Sequence, residues 1–209
     1  MKKIPTLFER VYEGHKVVGI KNIIAPGCEQ VLIRGIPTIK YDGSCCAIID
    51  GKFYKRYNCK KGKTPPDGAI ACCDPDPITG HWPHWVRVNE NDSSDKWFIK
   101  AYNANWWSII DDTPDDGTYE AIGYHFQGNP YGLFNDILVA HGKSIIDNLY
   151  LSSDIDESFC NIRKYLRDHP IEGIVFWMDG EPICKIKRTD FGFEWPIRST
   201  EWRDGHEYI

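Results

Sequence analysis

The chain lacks any stretch approaching the roughly 18 consecutive apolar residues that a membrane-spanning helix requires. Its opening, Met1-Lys2-Lys3-Ile4-Pro5, lacks the apolar run of a secretory signal. Neither a membrane nor an export route is expected. A surplus of positive charge is also missing: 25 Lys and Arg against 30 Asp and Glu leave a net charge of −5. That argues against a surface coated in nucleic acid, because phosphate contacts need clustered cations. No internal repeat and no low-complexity tract is present, which sets aside solenoids and disordered linkers. Cysteine is not scarce, but its eight residues follow no disulfide-scaffold pattern, and two pairs are adjacent, Cys45-Cys46 and Cys72-Cys73. The thiols are read as reduced and the protein as intracellular, in the cytoplasm or nucleus.

What is present is an ordinary globular composition, 42% hydrophobic and 26% charged over 209 residues. A chain of this size buries roughly two-thirds of its unfolded surface without covalent staples. A single domain spanning residues 1–209 is expected. Charge is unevenly spread. Lys52, Lys55, Arg56, Lys60, Lys61 and Lys63 form one basic run, Lys185, Lys187 and Arg188 another, and Asp111, Asp112, Asp115 and Asp116 an acidic one. Any such run alone is most simply a solvated face.

Residues 31–39 are rich in β-branched side chains and read as a strand broken near Gly35-Ile36-Pro37. Two apolar runs flank Asp50-Gly51, and two more flank Asp179-Gly180. Asp-Gly in that setting signals a hairpin, because a type I′ turn needs positive φ at both central residues. Residues 58–95, rich in Pro, Gly, Asp and Asn, read as a loop-rich insertion. The Trp-rich stretch 96–110 spaces its apolar residues as a helix does, and is more simply core than a base-stacking platform. Residues 118–126 and 133–141 read as strands. Ser153 or Asp154 is placed to cap a helix over 155–168, with Phe159, Ile162, Tyr165 and Leu166 on one face. Strands outnumber helices and hairpins dominate, so the class is α+β with antiparallel sheets.

Four elements with chemical potential fall in order: Lys40-Tyr41-Asp42-Gly43 at a strand exit, Glu120 within Tyr119–Gly123, Glu172 within Glu172–Phe176, and Lys185-Ile186-Lys187. A lysine acts as a nucleophile only as the free amine, so its site must disfavour the ammonium. Nearby cations and a bound metal do so. Lys185 and Lys187 are candidates for those cations, and for meeting charge on a phosphoryl group. Mg²⁺ (or Mn²⁺) takes one or two protein carboxylates plus phosphates. Glu172 is the first candidate ligand, while Glu120 is read as a ribose-hydroxyl acceptor or a second metal ligand. Alternation is expected to put Glu172 and Ile174 on one face, pairing the carboxylate with an apolar base-packing surface. Gly43 and Gly173 are expected to let backbone approach a nucleotide. Each element alone has a plain reading: a turn, a solvent-facing strand carboxylate, the polar side of an edge strand. Cys72, Cys73, His81 and His84 are poor zinc candidates by spacing, and His125 and His141 are most simply structural or exposed.

Taken together, the four elements resemble motifs I, III, IV and V of the covalent nucleotidyltransferases: ATP-dependent DNA ligases, RNA ligases and mRNA-capping enzymes. Motif I with its trailing Ser44-Cys45-Cys46 is most similar to the single-domain 5′-3′ RNA ligases of animals and some viruses. The resemblance covers about residues 31 to 190. It implies an ATP-grasp-like adenylation domain. With 22 residues after Lys187, the C-terminal OB-fold of capping enzymes and most DNA ligases is not expected. It implies Lys40, Glu172, Lys185 and Lys187 as catalytic residues, and nucleotide contacts from Ile39, Lys40, Asp42, Gly43, Arg56, Glu120, Phe126, Ile174, Lys185 and Lys187. Phe126 is read either as an adenine-stacking ring or as a packed one, and Arg56 as a phosphate or RNA contact. The implied partners are ATP and RNA with 5′-phosphate and 3′-hydroxyl ends, the protein acting as a monomer. Two alternatives stay open: a GTP-using capping-type guanylyltransferase, and a non-catalytic nucleotide- or RNA-binding module.

Overall fold

A computed structural model describes residues 3–104 and 114–197. In chain order the elements are β1 (Phe8–Glu13), β2 (Lys16–Ile24), α1 (Val31–Arg34), β3 (Ile36–Lys40), β4 (Ser44–Ile49), β5 (Lys52–Cys59), β6 (Ile70–Ala71), β7 (Trp82–Arg87), α2 (Lys96–Asn103), β8 (Gly117–Ile122), β9 (Ile137–Ala140), α3 (Ile155–Asp168), β10 (Gly173–Met178) and β11 (Glu181–Lys187). The fold is α+β, and the strand ladders among the described residues are all antiparallel. The chain divides into two compact units. Among the described residues, those between Asp42 and His141, with Lys3, form an inserted unit, and Ile4–Tyr41 with the residues from Gly142 onward form a flanking unit.

In the flanking unit β10 is the centre of a three-stranded sheet, order β11-β10-β3. Its strands come from chain segments 137 residues apart at Thr38 and Val175, so only tertiary pairing assembles it. The β10–β11 connection is the expected hairpin. Asp179 and Gly180 both have positive φ, 52° and 82°, between the paired residues Met178 and Glu181. Helix α3 covers the anticipated 155–168, and Asp154 caps it by accepting from the Glu157 N–H at 3.1 Å. Ile162 and Leu166 are fully buried against Phe8, Val31, Ile174, Phe176 and Ile186, with Phe159 and Tyr165 packed beside them. Asp154→Ala removes a cap and is expected to cost about 1 kcal/mol, read as a lowered urea midpoint with unchanged slope.

One expectation changes here. Residues 31–34 are helical, not strand: Val31 and Leu32 enter the core on one turn that closes with Gly35 N–H bonding the Val31 carbonyl at 2.8 Å. Burial of those two side chains outweighs β-branched propensity. The β1–β2 hairpin has no clear sequence signature, because most of β2 is exposed or half-exposed and alternation is weak.

In the inserted unit six strands run in the order β6-β7-β5-β4-β8-β9. The Asp50-Gly51 turn has φ of 50° and 66°, and its two N–H groups bond the Asp116 carboxylate at 2.7 and 3.0 Å. Cys46, Ile48, Tyr119, Ala121, Phe126 and Leu138 form one core, against which α2 packs Trp97, Phe98 and Tyr102. Cys45, Ala47, Tyr54 and Trp85 form another. Residues 82–87, expected in a loop, make strand β7 because Trp85 and His84 are buried against β5. The helix expected over 96–110 is seen over Lys96–Asn103. Trp106, Trp107, Ile109, Ile110, Asp111 and Asp112 lie outside the described residues. Trp97 stacks on His125, ring centroids 3.3 Å apart, and Asp136 holds the His125 ring at 2.7 Å. No helix among the described residues is long and apolar enough to cross a membrane.

Candidate active site

Register builds a lysine cluster in the flanking unit. Gly173 of β10 pairs with Lys40 of β3 on one side and Lys187 of β11 on the other, and Val175 pairs with Lys185. Lys40, Lys187 and Lys185 therefore project from one face of the sheet. Ile39, Ile174 and Ile186 alternate with them onto the opposite, core face. Three cations on one small face demand a counter-charge, and Glu172 supplies it. Its buried carboxylate takes a hydrogen bond from Lys40 Nζ on Oε2 and from Lys187 Nζ on Oε1. Lys40 Nζ also approaches the Tyr41 carbonyl at 3.4 Å.

Among the described residues, no carboxylate pairs with the Lys185 amine. The segment Pro5–Leu7 covers its strand edge, with Leu7 N–H donating to the Lys185 carbonyl and Lys185 N–H to that of Pro5. Burial, then the positive charges of Lys40 and Lys187, lower the Lys185 amine from 10.5 to about 8, against an opposing pull from Glu172. A lysine whose folded-state pKa is depressed costs stability below the folded value, and the cost disappears as pH rises to the unfolded one. Lys185→Met is therefore expected to stabilise the protein at pH 7 by up to about 3 kcal/mol, at roughly 1.4 kcal/mol per pKa unit. The gain should shrink between pH 8 and 10.5. Thermal melts of the two proteins across that range test it.

The two glycines have a structural explanation different from the one expected. A Cβ on Gly173 would collide with the Ile186 carbonyl oxygen, and one on Gly43 with the Ala121 carbonyl oxygen. Strand-to-strand approach excludes a side chain at both. Ile174 is likewise corrected as a base-packing surface: it is fully buried among core residues, on the face away from the lysines. Glu172 lies just before β10, so its carboxylate reaches the lysine face instead. Ile39 packs partly buried against the same core. Phe126 is 4% exposed and packs edge-on against Phe98, the packed alternative of the two read for it.

The remaining candidates belong to the inserted unit. Asp42 N–H donates to the Tyr131 hydroxyl at 2.6 Å. Arg56 is exposed on β5, opposite Trp85. Glu120 sits in β8 directly across from Cys45 of β4. Glu120 Oε1 accepts from Gly43 N–H at 3.1 Å, and its Oε2 lies 3.0 Å from His141 Nε2. His141 Nδ1 is 2.9 Å from Thr118 Oγ1. Cys45 and Cys46 face opposite sides of β4: Cys46 enters the core and bonds the Tyr119 carbonyl, while Cys45 stands beside Glu120. Burial, followed by the Glu120 charge, pushes the Cys45 thiol up to about 12. Among the described residues, Cys45, Glu120 and His141 are the one group of three potential ligand atoms lying together, within 4.8 Å, and Cys72, Cys73, His81 and His84 form no such group. His141 was missed in the sequence because it lies 21 residues from Glu120 and 96 from Cys45; only the strand register unites them.

An α+β protein of antiparallel sheets, with a lysine at a strand exit held by a buried carboxylate and flanked by two further lysines, is the class that fold and site define. No family model matches the chain. Among characterised proteins it is similar to RNA ligase 1 of Pongo abelii, 24% identical over 92% of this chain and 78% of that protein. It is also similar to RNA ligase 1 of Rattus norvegicus, 28% identical with the same coverage of each. The Danio rerio RNA ligase 1 is 28% identical over 58% of this chain and 44% of its own length. These matches give the chain an RNA-ligase-like relationship.

Proposed function

We propose that the protein is an ATP-dependent RNA ligase that works through a lysyl-AMP intermediate on Lys40. The observation that carries this reading is the Lys40–Glu172–Lys187 cluster with Lys185 on the same face, in a chain related to proteins named RNA ligase 1. The Lys40 amine, once deprotonated, attacks the α-phosphorus of ATP; an N–P bond forms, the bond to the bridging oxygen breaks, and pyrophosphate leaves. The AMP then passes to the 5′-phosphate of an RNA end. A 3′-hydroxyl oxygen attacks that phosphate, sealing the strand and releasing AMP. The catalytic unit is an adenylation domain of the nucleotidyltransferase type.

Each residue of the cluster has work in this scheme. Glu172 holds the Lys40 side chain in place before nucleotide arrives. Lys185 and Lys187 stand on the same face of the sheet as Lys40. They also meet negative charge that gathers on the α-phosphate. The donor set suits Mg²⁺: one buried carboxylate, whose oxygens are otherwise shared with amines, together with phosphate oxygens satisfies an ion that binds few protein ligands. Such an ion would neutralise phosphate charge and take Glu172 from its role as counter-ion to Lys40. In the inserted unit Arg56 is proposed to meet phosphate, and Glu120 a ribose hydroxyl or a metal.

Incubation with α-labelled ATP or GTP and Mg²⁺, followed by denaturing electrophoresis, tests the nucleotide. Label from ATP in preference to GTP is expected. Preference for GTP would move the chain to the capping-type reaction, and tight ATP binding with no pyrophosphate released would make it a binding module. Ligation of 5′-phosphate RNA against DNA then tests the acceptor.

A further inference from the structure

We infer that Cys45, Glu120 and His141 form a binding site for a borderline divalent transition ion, Zn²⁺ foremost. The three belong to the inserted unit and are brought together by antiparallel register. Cys45 and Glu120 are cross-strand partners on β4 and β8, and His141 follows β9, with its N–H bonded to the Thr118 carbonyl. Their ligand atoms lie within 4.8 Å of one another. Zinc bonds of about 2.0–2.3 Å place tetrahedral ligands roughly 3.5 Å apart, and Glu120 Oε2 and His141 Nε2 already stand 3.0 Å from each other.

The surroundings are those of a metal site as well. A ligating histidine is oriented by a hydrogen bond on its other ring nitrogen, and a ligating carboxylate by one on its other oxygen. Thr118 Oγ1 holds His141 Nδ1, which leaves Nε2 for the ion. Gly43 N–H holds Glu120 Oε1. Glu120 Oε2 and His141 Nε2, 3.0 Å apart, would give up their contact with each other to ligate the ion. Cys45 is 7% exposed and stands over the Ala47–Tyr54–Trp85 core, so its thiolate has little competition from water. One thiolate and one carboxylate neutralise a divalent charge, and coordination releases the thiol proton to solvent. Three protein ligands leave a fourth position for water. The mixed sulfur, nitrogen and oxygen set excludes Mg²⁺, which takes oxygen alone. The site therefore differs in chemistry from a Mg²⁺ at Glu172, and it stands on the inserted unit whether or not the chain seals RNA. Of the two roles proposed for Glu120, it selects metal ligation.

Titration of the metal-free full-length protein with Co²⁺ tests the assignment. One ion per chain is expected, with thiolate-to-cobalt charge-transfer absorption that Zn²⁺ abolishes. Cys45→Ser should remove that absorption, and His141→Gln should weaken binding at least about tenfold. Thr118→Val leaves every ligand in place and is expected to reduce affinity about 10- to 100-fold through loss of the His141 orientation. Absence of charge-transfer absorption in the unaltered protein, or its persistence in Cys45→Ser, overturns the site. So does a Thr118→Val protein that binds Co²⁺ as tightly as the unaltered one.

Discussion

Lys40→Ala is expected to abolish covalent labelling by α-labelled ATP while leaving the protein folded. Loss of a covalent nucleophile costs on the order of 10⁴- to 10⁶-fold in other enzymes, and here alanine offers no atom for the N–P bond. Folding should survive because Glu172 keeps its second partner, Lys187, when Lys40 is removed. Removal also takes away one of the cations that depress Lys185. Lys40→Arg should fail equally, since a guanidinium stays protonated at any working pH. Two measurements check this: radiolabel on the denatured protein, and a thermal melt within a few degrees of the unaltered chain. Label persisting on the Lys40→Ala protein removes Lys40 from the mechanism.

Glu172→Gln has the second large expected effect, and it acts on both stability and chemistry. The change keeps the side-chain shape but strips the negative charge that pairs with Lys40 and Lys187 from a face that also carries Lys185. Breaking a fully buried ion pair costs about 3–5 kcal/mol. The Lys40 and Lys187 side chains are 21% and 31% exposed, so solvent screening reduces the figure to about 2 kcal/mol here. The destabilisation is one of like charges. It should therefore diminish as pH rises and Lys185 loses its proton, which it does more readily in this variant because the upward pull of Glu172 on its amine is gone. Labelling should fall by at least about a hundredfold, the usual scale for loss of one electrostatic group at a reacting centre. Equal melting temperatures of the two proteins at pH 7 would falsify the role of Glu172 as counter-ion.

The parts of the fold that could be read from the chain are those decided by near neighbours. Both Asp-Gly hairpins were legible because only a few residue types tolerate positive φ at successive positions, and the structure has them at 50–51 and 179–180. Helix α3 was legible because its cap and apolar stripe lie within 14 residues. Val31–Arg34 was not, because burial of Val31 and Leu32 against distant elements outweighs local preference. Strand β7 was hidden for the same reason, its Trp85 and His84 finding their place only against β5.

The candidate site divides along the same line. Sequence alone determined the inventory and its order: a lysine at a strand exit, two strand-associated carboxylates, and two lysines spaced to share a face. Spacing of two along a strand fixes a common side wherever that strand lies. What only tertiary structure decided is which groups meet. Pairing of β10 with both β3 and β11 sets Lys40 and Lys187 on either side of Gly173 and turns Glu172 into their shared counter-ion. The same register sends Ile174 to the core. Pairing of β4 with β8 and β8 with β9 brings Cys45, Glu120 and His141 together. Contacts across 21 to 132 residues of sequence leave no local trace, because a side chain's sequence neighbours fix its direction but not its distant partners.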